Sequence, residues 1–141
     1  TFRVNVDGTM LCSKLALPHM KRQKSGAIVN IGSISGLVPY SRGGAYAVSK
    51  AAVIMLTKVL ALEAGAYGVR VNCICPGSIR HRVPPGEPIE EVPRHIPIGR
   101  HGKPADVAYL VSYLASEAAS YVTGSVIVLD GGGTAGRNRL S

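Results

Sequence analysis

Hydrophobic and polar residues follow two different periods along the chain, and the two periods alternate. Apolar side chains that recur every three or four positions, the spacing of one helix face, define three predicted helices: Thr9–Lys24, Ala45–Ala64 and Lys103–Ser116. Short apolar runs rich in β-branched residues, typical of buried strands, define three predicted strands: Ala27–Ile31, Val69–Cys75 and Val126–Asp130. The pattern therefore predicts helices and strands in strict alternation.

Glycine and proline mark where these elements end. Gly32–Gly44 is predicted to be a loop, and Ser78–Arg100 is predicted to be a long irregular segment that contains five prolines. A loop of that length in a compact domain often serves as a lid over a site. Pro18 lies inside the first predicted helix, and we expect it to bend that helix or to leave one hydrogen bond unmade. Asp106 is expected to stabilise the start of the last helix.

The alternation of apolar strands and helices indicates an α/β fold with a parallel sheet covered on both faces. The length of 141 residues suits one domain. Three strands make a small sheet, however, and one edge would expose unpaired strand of the buried type. The sequence also begins without Met. We therefore expect the chain to be part of a longer protein or to be completed by other chain material.

Composition and charge narrow the classes of protein. Hydrophobic residues make up 46% of the chain and charged residues 17%, which favours a packed core over disorder. The net charge of +8 is spread along the sequence, without the interleaved aromatic residues that a base-stacking surface needs. We interpret the charge as solvated surface, with a phosphorylated cofactor or anionic substrate as the alternative, and expect no nucleic-acid partner. Because no uninterrupted run reaches about 18 apolar residues, we also expect no membrane partner.

The three cysteines form no pairing pattern, which favours a reducing compartment and predicts a cytoplasmic location. Cys73 and Cys75 lie two apart in a predicted strand, so their side chains share one face. Their spacing is poor for zinc, and packing in the core is the favoured interpretation. The histidines at positions 19, 95 and 101 have no clustered partners and are interpreted as structural or exposed. We therefore expect no metal site.

Tyr46 and Lys50 are the first residues that suggest chemistry. They stand four apart at the start of a predicted helix, which places both side chains on one face. A tyrosine titrates at about pH 10, and a neighbouring ammonium group favours its phenolate. Such a pair can act as a general acid/base between a hydroxyl and a carbonyl, although the spacing alone is common by chance.

Other polar or glycine-containing segments fall where strands end. Ser33 follows the first predicted strand, and Pro76–Gly77 ends the second. In parallel α/β sheets, ligands bind beyond the carboxyl ends of the strands, so this edge is the candidate site. Asn5 precedes the first predicted helix, and its residue type alone predicts a helix cap.

Several segments, read in chain order, form a pattern that no single motif carries. They are Asn5 with Gly8, Asn-Ile-Gly-Ser-Ile-Ser-Gly at 30–36, Tyr-Ala-Val-Ser-Lys at 46–50, Val-Arg-Val-Asn-Cys-Ile-Cys-Pro-Gly at 69–77, Ile-Pro-Ile-Gly-Arg at 96–100, and the stretch 122–132. In order and spacing they resemble the short-chain dehydrogenase/reductases, over all but the last few residues. The resemblance implies the C-terminal part of a Rossmann-type, doubly wound parallel sheet with helices on both faces.

The resemblance also implies catalytic roles. Tyr46 would be the acid/base that gives or takes the hydroxyl proton, and Lys50 would lower its pKa and hold the nicotinamide ribose. Ser33 would orient and polarise the substrate carbonyl oxygen. Asn5 would anchor a water in a proton relay to Lys50. The implied activity is that of an oxidoreductase that interconverts an alcohol and a carbonyl compound, with a small molecule of unknown identity as substrate.

The implied cofactor is NAD or NADP. Tyr46 and Lys50 would contact it, and Pro76, Gly77 and the backbone of Ile79 would lie against the nicotinamide ring. The sequence departs from the family in two ways. No Gly-rich phosphate turn occurs at the start of the chain, so residues 1–141 would be the C-terminal catalytic portion of one domain whose phosphate-binding portion is absent from this sequence. His81 stands where many members have a Thr, either replacing its contact or forming loop surface.

Helices 9–24 and 45–64 match family helices that pack across a subunit interface, which implies a homodimer or homotetramer. This match leaves a second hypothesis open. A chain without the phosphate-binding portion could be a truncated, catalytically inactive module for oligomerisation or binding.

Overall fold

Helices and strands alternate along the chain as the sequence predicts. The computed structural model describes residues 1–80 and 94–136. Within these residues the α-helices are α1 (Gly8–Gln23), α2 (Gly44–Ala64) and α3 (Pro104–Ala115), and the strands are β1 (Gly26–Ile31), β2 (Val69–Pro76) and β3 (Val126–Leu129). Most of the predicted proline-rich loop, with His81, lies outside the described residues.

The strands form one parallel sheet in the order β1-β2-β3. Gly26 is paired with Val69 at the start of the first ladder, and Cys73 is paired with Val126 at the start of the second. Each connection between neighbouring strands carries a helix, as parallel pairing requires. The predicted α/β fold with a parallel sheet is therefore confirmed.

Helices cover both faces of the sheet, and β2 is buried on both sides. Its residues Val69 and Val71 pack with Leu17 of α1 and with the C-terminal end of α2. On the opposite face, Ile74 packs against Leu114 of α3. Because successive strand residues point to opposite faces, burial on both sides accounts for the apolar residues at 69, 71 and 73–75. Asn72, which is also buried, donates from Nδ2 to the Val122 carbonyl at 2.8 Å.

The outer edge of β1 borders an open groove of about 630 Å³. No strand among the described residues pairs with this edge. The backbone of Ala27–Ile31 forms one side, and small residues of α1, including Cys12 and Ala16, form another. Asn5 and Lys50 line the same groove. The edge is the unpaired strand surface that a three-stranded sheet is expected to leave.

The start of α1 differs from the sequence expectation. A π-helical turn, Arg3–Asp7, leads directly into α1. Asn5 thus lies within helical backbone, and the prediction that it caps the helix is wrong. Its side chain donates elsewhere because no free helix end is present at that position. Pro18 lies inside a helix that continues to Gln23, where its ring nitrogen has no hydrogen to donate.

The start of α3 follows the sequence expectation. The carboxylate of Asp106 accepts a hydrogen bond from the Lys103 backbone N–H at 2.8 Å. The guanidinium of Arg100 donates to the same carboxylate at 2.7 Å. Asp106 therefore stabilises the helix start, as predicted.

One helical stretch in the described part of the chain, Gly44–Tyr67, is long and apolar enough to cross a membrane by length and composition. It spans 24 residues with a mean hydropathy of 1.6 in its most apolar part, of which 33% is buried. Core helices of folded domains pass the same test, so a single such helix is weak evidence for a span. Here the helix packs on the sheet through Val53 and Ile54, which are buried.

Candidate active site

The carboxyl ends of the three strands meet at one edge of the sheet. Ser33 follows β1, Gly77 follows β2, and Asp130 follows β3. The Gly77 backbone N–H donates to the Leu129 carbonyl at 2.9 Å, which extends the second ladder by one residue. A Cβ at Gly77 would lie 3.6 Å from Ile34 Cδ1, so the segments after β1 and β2 are in contact.

Ser33 begins a tight turn. Its backbone is extended, its side chain is 8% exposed, and its Oγ accepts a hydrogen bond from the Ser35 N–H at 3.1 Å. The following 3-10 turn packs directly on α2, since a Cβ at Gly36 would lie 2.7 Å from the Ala51 nitrogen. This close approach, which needs a residue without a side chain, brings the Ser33 turn against the backbone next to Lys50.

Tyr46 and Lys50 lie one turn apart at the start of α2. Lys50 Nζ donates to the Ile31 carbonyl at 2.9 Å and lies 5.8 Å from the centre of the Tyr46 ring. The Tyr46 side chain is 41% exposed. The ammonium group is thus tied to the last residue of β1, two positions before Ser33, and faces an accessible phenol. Sequence reasoning missed the Ile31 contact because a backbone carbonyl leaves no signal in residue type.

Asn5 contacts this same turn of α2 through Ser49. Asn5 Nδ2 donates to Ser49 Oγ at 3.0 Å, and Ser49 Oγ donates to the Tyr46 carbonyl at 2.7 Å. The Asn5 carbonyl accepts a hydrogen bond from Thr9 Oγ1 at 2.7 Å. Sequence reasoning also missed Ser49; the available signal was a serine within an otherwise apolar stretch of helix, between two candidate residues.

Two buried thiols lie beneath the Ser33 turn. Cys73 and Cys75 are free and buried on one face of β2, as predicted. A hydrogen bond from the Cys75 thiol lowers the pKa of Cys73 to about 7, whereas that contact and burial raise the pKa of Cys75. Their sulfurs sit directly under Gly32, where a Cβ would lie 2.9 Å and 2.8 Å away, respectively.

The segment after Gly77 pairs with the residues before α3. The Arg80 N–H donates to the Gly102 carbonyl at 2.8 Å, and the Gly102 N–H donates to the Ser78 carbonyl at 2.9 Å. These bonds hold Ile79 in an isolated parallel bridge. His101 Nδ1 lies 2.9 Å from Ser78 Oγ, so this histidine has a structural contact.

The chain matches one known protein family over nearly its whole length. Residues 1–134 match the profile of a family described as enoyl-(acyl carrier protein) reductase. The structure of a short-chain type dehydrogenase/reductase from Mycobacterium ulcerans superposes with a TM-score of 0.87 at 40% identity, covering 98% of this chain and 52% of that one. The chain belongs to the short-chain dehydrogenase/reductase family.

Individual members of the family are similar over most of this chain. Meso-2,3-butanediol dehydrogenase from Serratia marcescens is 41% identical over 94% of the chain and 53% of its own length. A protein described as inactive 2-(S)-hydroxypropyl-CoM dehydrogenase 2, from Xanthobacter autotrophicus, is 43% identical over 94% of the chain and 61% of its own length. The structure of ElxO with NADP bound superposes with a TM-score of 0.87 at 37% identity, covering 94% of this chain and 56% of that one.

The chain spans about half the length of these short-chain dehydrogenase/reductases. The fold class expected from the sequence, part of a Rossmann-type sheet with helices on both faces, is therefore confirmed. The relative described as a meso-2,3-butanediol dehydrogenase and the one described as inactive are similar to the chain to nearly the same degree, at 41% and 43% identity.

Proposed function

We propose that residues 1–141 are the C-terminal catalytic portion of a single-domain, NAD(P)-dependent oxidoreductase that interconverts an alcohol and a carbonyl compound. The observation that supports this most is the position of the Lys50 ammonium group. It is bonded to the Ile31 carbonyl, two residues before Ser33, and lies 5.8 Å from the Tyr46 ring. A cation, a phenol and a hydroxyl thus share one edge of the sheet.

In the proposed reaction, Tyr46 is the general acid/base. In the reducing direction its phenolic O–H gives a proton to the substrate oxygen, and in the oxidising direction the phenolate takes that proton back. The Ser33 hydroxyl donates a hydrogen bond to the same oxygen and stabilises the negative charge that develops there. The Ser33 Oγ already accepts from Ser35, and its O–H has no acceptor among the described residues. That hydrogen is therefore available to substrate.

Asn5 and Lys50 complete the proposed proton path. Both residues line the groove beside β1. A water held by Asn5 in this groove would lie next to the Lys50 ammonium group. Such a water would pass protons between Lys50 and solvent.

A nicotinamide cofactor, NAD or NADP, would supply the hydride. The residues of this chain fit the nicotinamide end of such a molecule. Lys50 and Tyr46 would hold the ribose, and the half-buried residues Pro76, Gly77 and Ile79 would lie against the ring. The similarity to a structure with NADP bound supports a nicotinamide dinucleotide as the class of cofactor.

The proposal includes a small alcohol or carbonyl compound as substrate, self-association into a homodimer or homotetramer, and a reducing, cytoplasmic environment. All three cysteines are free thiols, which suits such an environment. Self-association is supported by apolar side chains that α1 and α2 leave exposed: Met10, Leu11, Leu15, Met55, Val59 and Leu62.

The first test measures the mass of the native protein. On the same sample, cofactor binding is monitored by nicotinamide fluorescence. A mass well above 14.7 kDa with tight binding supports a complete enzyme of which this chain is the catalytic portion. Tyr46→Phe, which removes only the phenolic hydroxyl, should then abolish turnover while retaining cofactor binding. Full turnover by Tyr46→Phe would rule out the proposed acid/base.

A second candidate function is a catalytically inactive module for oligomerisation or binding. The exposed apolar residues of α1 and α2 favour it, because they provide an association surface that needs no chemistry. This function predicts a native mass of 14.7 kDa per chain, an oligomer in light scattering, and no cofactor binding. A relative described as inactive is 43% identical to the chain, and cofactor binding is the measurement that discriminates between the two candidate functions.

A further inference from the structure

Ser49 is the only residue of α2 that contacts both Asn5 and Tyr46 in the hydrogen bonds of the described residues. Its Oγ accepts from Asn5 Nδ2 at 3.0 Å and donates to the Tyr46 carbonyl at 2.7 Å. The side chain is 0% exposed. One hydroxyl group therefore joins the π-helical turn before α1 to the first turn of α2, although Asn5 and Ser49 are 44 positions apart in the chain.

We propose that Ser49 is a positioning residue for the reaction, which sets the Asn5 turn against the turn that carries Tyr46 and Lys50. The inference rests on the proposed function. A serine that bonds only to its own helix, three residues back, has a local role. Ser49 also receives a donor from another element, so its hydroxyl fixes the separation between two sets of catalytic groups.

The chain contains a second arrangement of the same kind, which contacts none of the four candidate catalytic residues in the hydrogen bonds of the described residues. Thr57 Oγ1 accepts from Asn30 Nδ2 at 2.9 Å and donates to the Val53 carbonyl of its own helix at 2.9 Å. Thr57 is also 0% exposed. It lies two turns beyond Ser49 on α2 and contacts neither Tyr46 nor Lys50 in the hydrogen bonds of the described residues. Thr57→Ala is therefore a matched control for Ser49→Ala.

The experiment measures kcat and the KM for cofactor in the native-length protein, for Ser49→Ala, Asn5→Ala, the double variant and Thr57→Ala. Ser49→Ala should lower kcat by at least about tenfold, because small misplacements of catalytic groups have large effects on rate. Asn5→Ala should lower kcat by a similar factor, and the double variant by no more than either single one, since both break one link. The KM for cofactor should stay within about twofold.

Thr57→Ala and Ser49→Ala should both unfold at a lower urea concentration than the parent, but Thr57→Ala should keep kcat within about twofold of the parent. Equal losses of kcat in Ser49→Ala and Thr57→Ala would overturn the inference, because the effect would then be one of stability. An unchanged kcat in Ser49→Ala would also overturn it. If Ser49→Ala does not fold, Asn5→Ala breaks the same hydrogen bond at its half-buried partner. An unchanged kcat in Asn5→Ala would then overturn the inference.

Tyr46→Phe, measured in parallel, separates this inference from the proposed function. Inactive Tyr46→Phe with fully active Ser49→Ala would remove the positioning role and leave the proposed function intact. Fully active Tyr46→Phe, or a native-length protein without any turnover, would overturn both.

Discussion

Single residues beneath the Ser33 turn determine how closely it can approach β2. Gly32 lies over the sulfurs of Cys73 and Cys75. The two thiols fill the space in which a side chain at position 32 would lie. The position of Ser33 therefore depends on the absence of one methyl group in the residue before it.

Gly32→Ala should destabilise the fold by about 1–3 kcal/mol, the usual effect of overpacking a core. Its new Cβ would lie 2.8 Å from Cys75 Sγ and 2.9 Å from Cys73 Sγ, so the turn or the strand has to shift. The measurement is the free energy of unfolding in urea. Adding Cys75→Ala to Gly32→Ala should recover part of the loss.

Gly65→Ala is the matched control for this substitution. A Cβ at Gly65 would meet no atom within 4 Å, and its φ of −58° is ordinary for any residue. Gly65→Ala should leave stability unchanged or raise it by up to about 1 kcal/mol. Equal stabilities of Gly32→Ala and Gly65→Ala would contradict the close approach at the Ser33 turn.

At the scale of elements, the start of α3 has a pH dependence. Hydrogen bonding from Arg100, and then from the Lys103 N–H, lowers the pKa of Asp106 from 3.8 to about 2. A carboxylate with a lower pKa in the folded state stabilises the fold above its unfolded pKa, and that contribution is lost as the pH falls through the folded value. The contribution of Asp106 is thus complete above about pH 5 and is lost as the pH falls towards 2.

Comparison of the parent with Asp106→Asn tests this assignment. The difference between their free energies of unfolding should be largest near neutral pH and should shrink as the pH is lowered from about 5 to 2. Urea unfolding at several pH values measures it. A difference that does not change with pH would show that the negative charge of Asp106 does not stabilise the helix start.

The elements themselves could be predicted from the sequence because they depend on local periodicity. The prediction of Ala45–Ala64 differs from α2, Gly44–Ala64, by one residue. Asn5 could not be assigned this way. A polar residue near a helix start is a good cap candidate, but whether it caps depends on backbone that is already helical at Arg3–Asp7 and on an acceptor 44 residues away.

In the candidate site, too, some residues could be predicted from the sequence and some contacts could not. Tyr46, Lys50 and Ser33 were singled out by residue type, spacing and the ends of strands, and the family resemblance joined them. The link through Ser49 and the bond from Lys50 to the Ile31 carbonyl could not be predicted. Neither pairing follows from periodicity, because each joins residues from different elements that only the packed structure brings together.

At the scale of the whole molecule, the groove beside β1 is the surface that further strands of the proposed complete domain would cover. Cys12 lines this groove and is exposed, whereas Cys73 and Cys75 are buried. Cys12 is therefore a natural reporter of whether the edge of β1 is covered.

The isolated 141-residue chain should show one fast-reacting thiol with Ellman's reagent, and Cys12→Ser should remove it. In a longer native protein, with a further strand against β1, Cys12 should react more slowly. Unfolding in urea should expose all three cysteines in either case. An equally fast reaction of Cys12 in the isolated chain and in a longer native protein would contradict the proposed domain organisation.

The order of the strands has a consequence for how such a domain can be assembled and recombined. Among the described strands, β1 pairs with β2 and β2 pairs with β3. Because this order follows the chain, β3 does not have to insert between β1 and β2. Added strands can join only at an outer edge, without opening an existing ladder. With the N-terminal strands of the proposed domain on the outer side of β1, a chimera between two relatives would be divided along that one edge of the sheet.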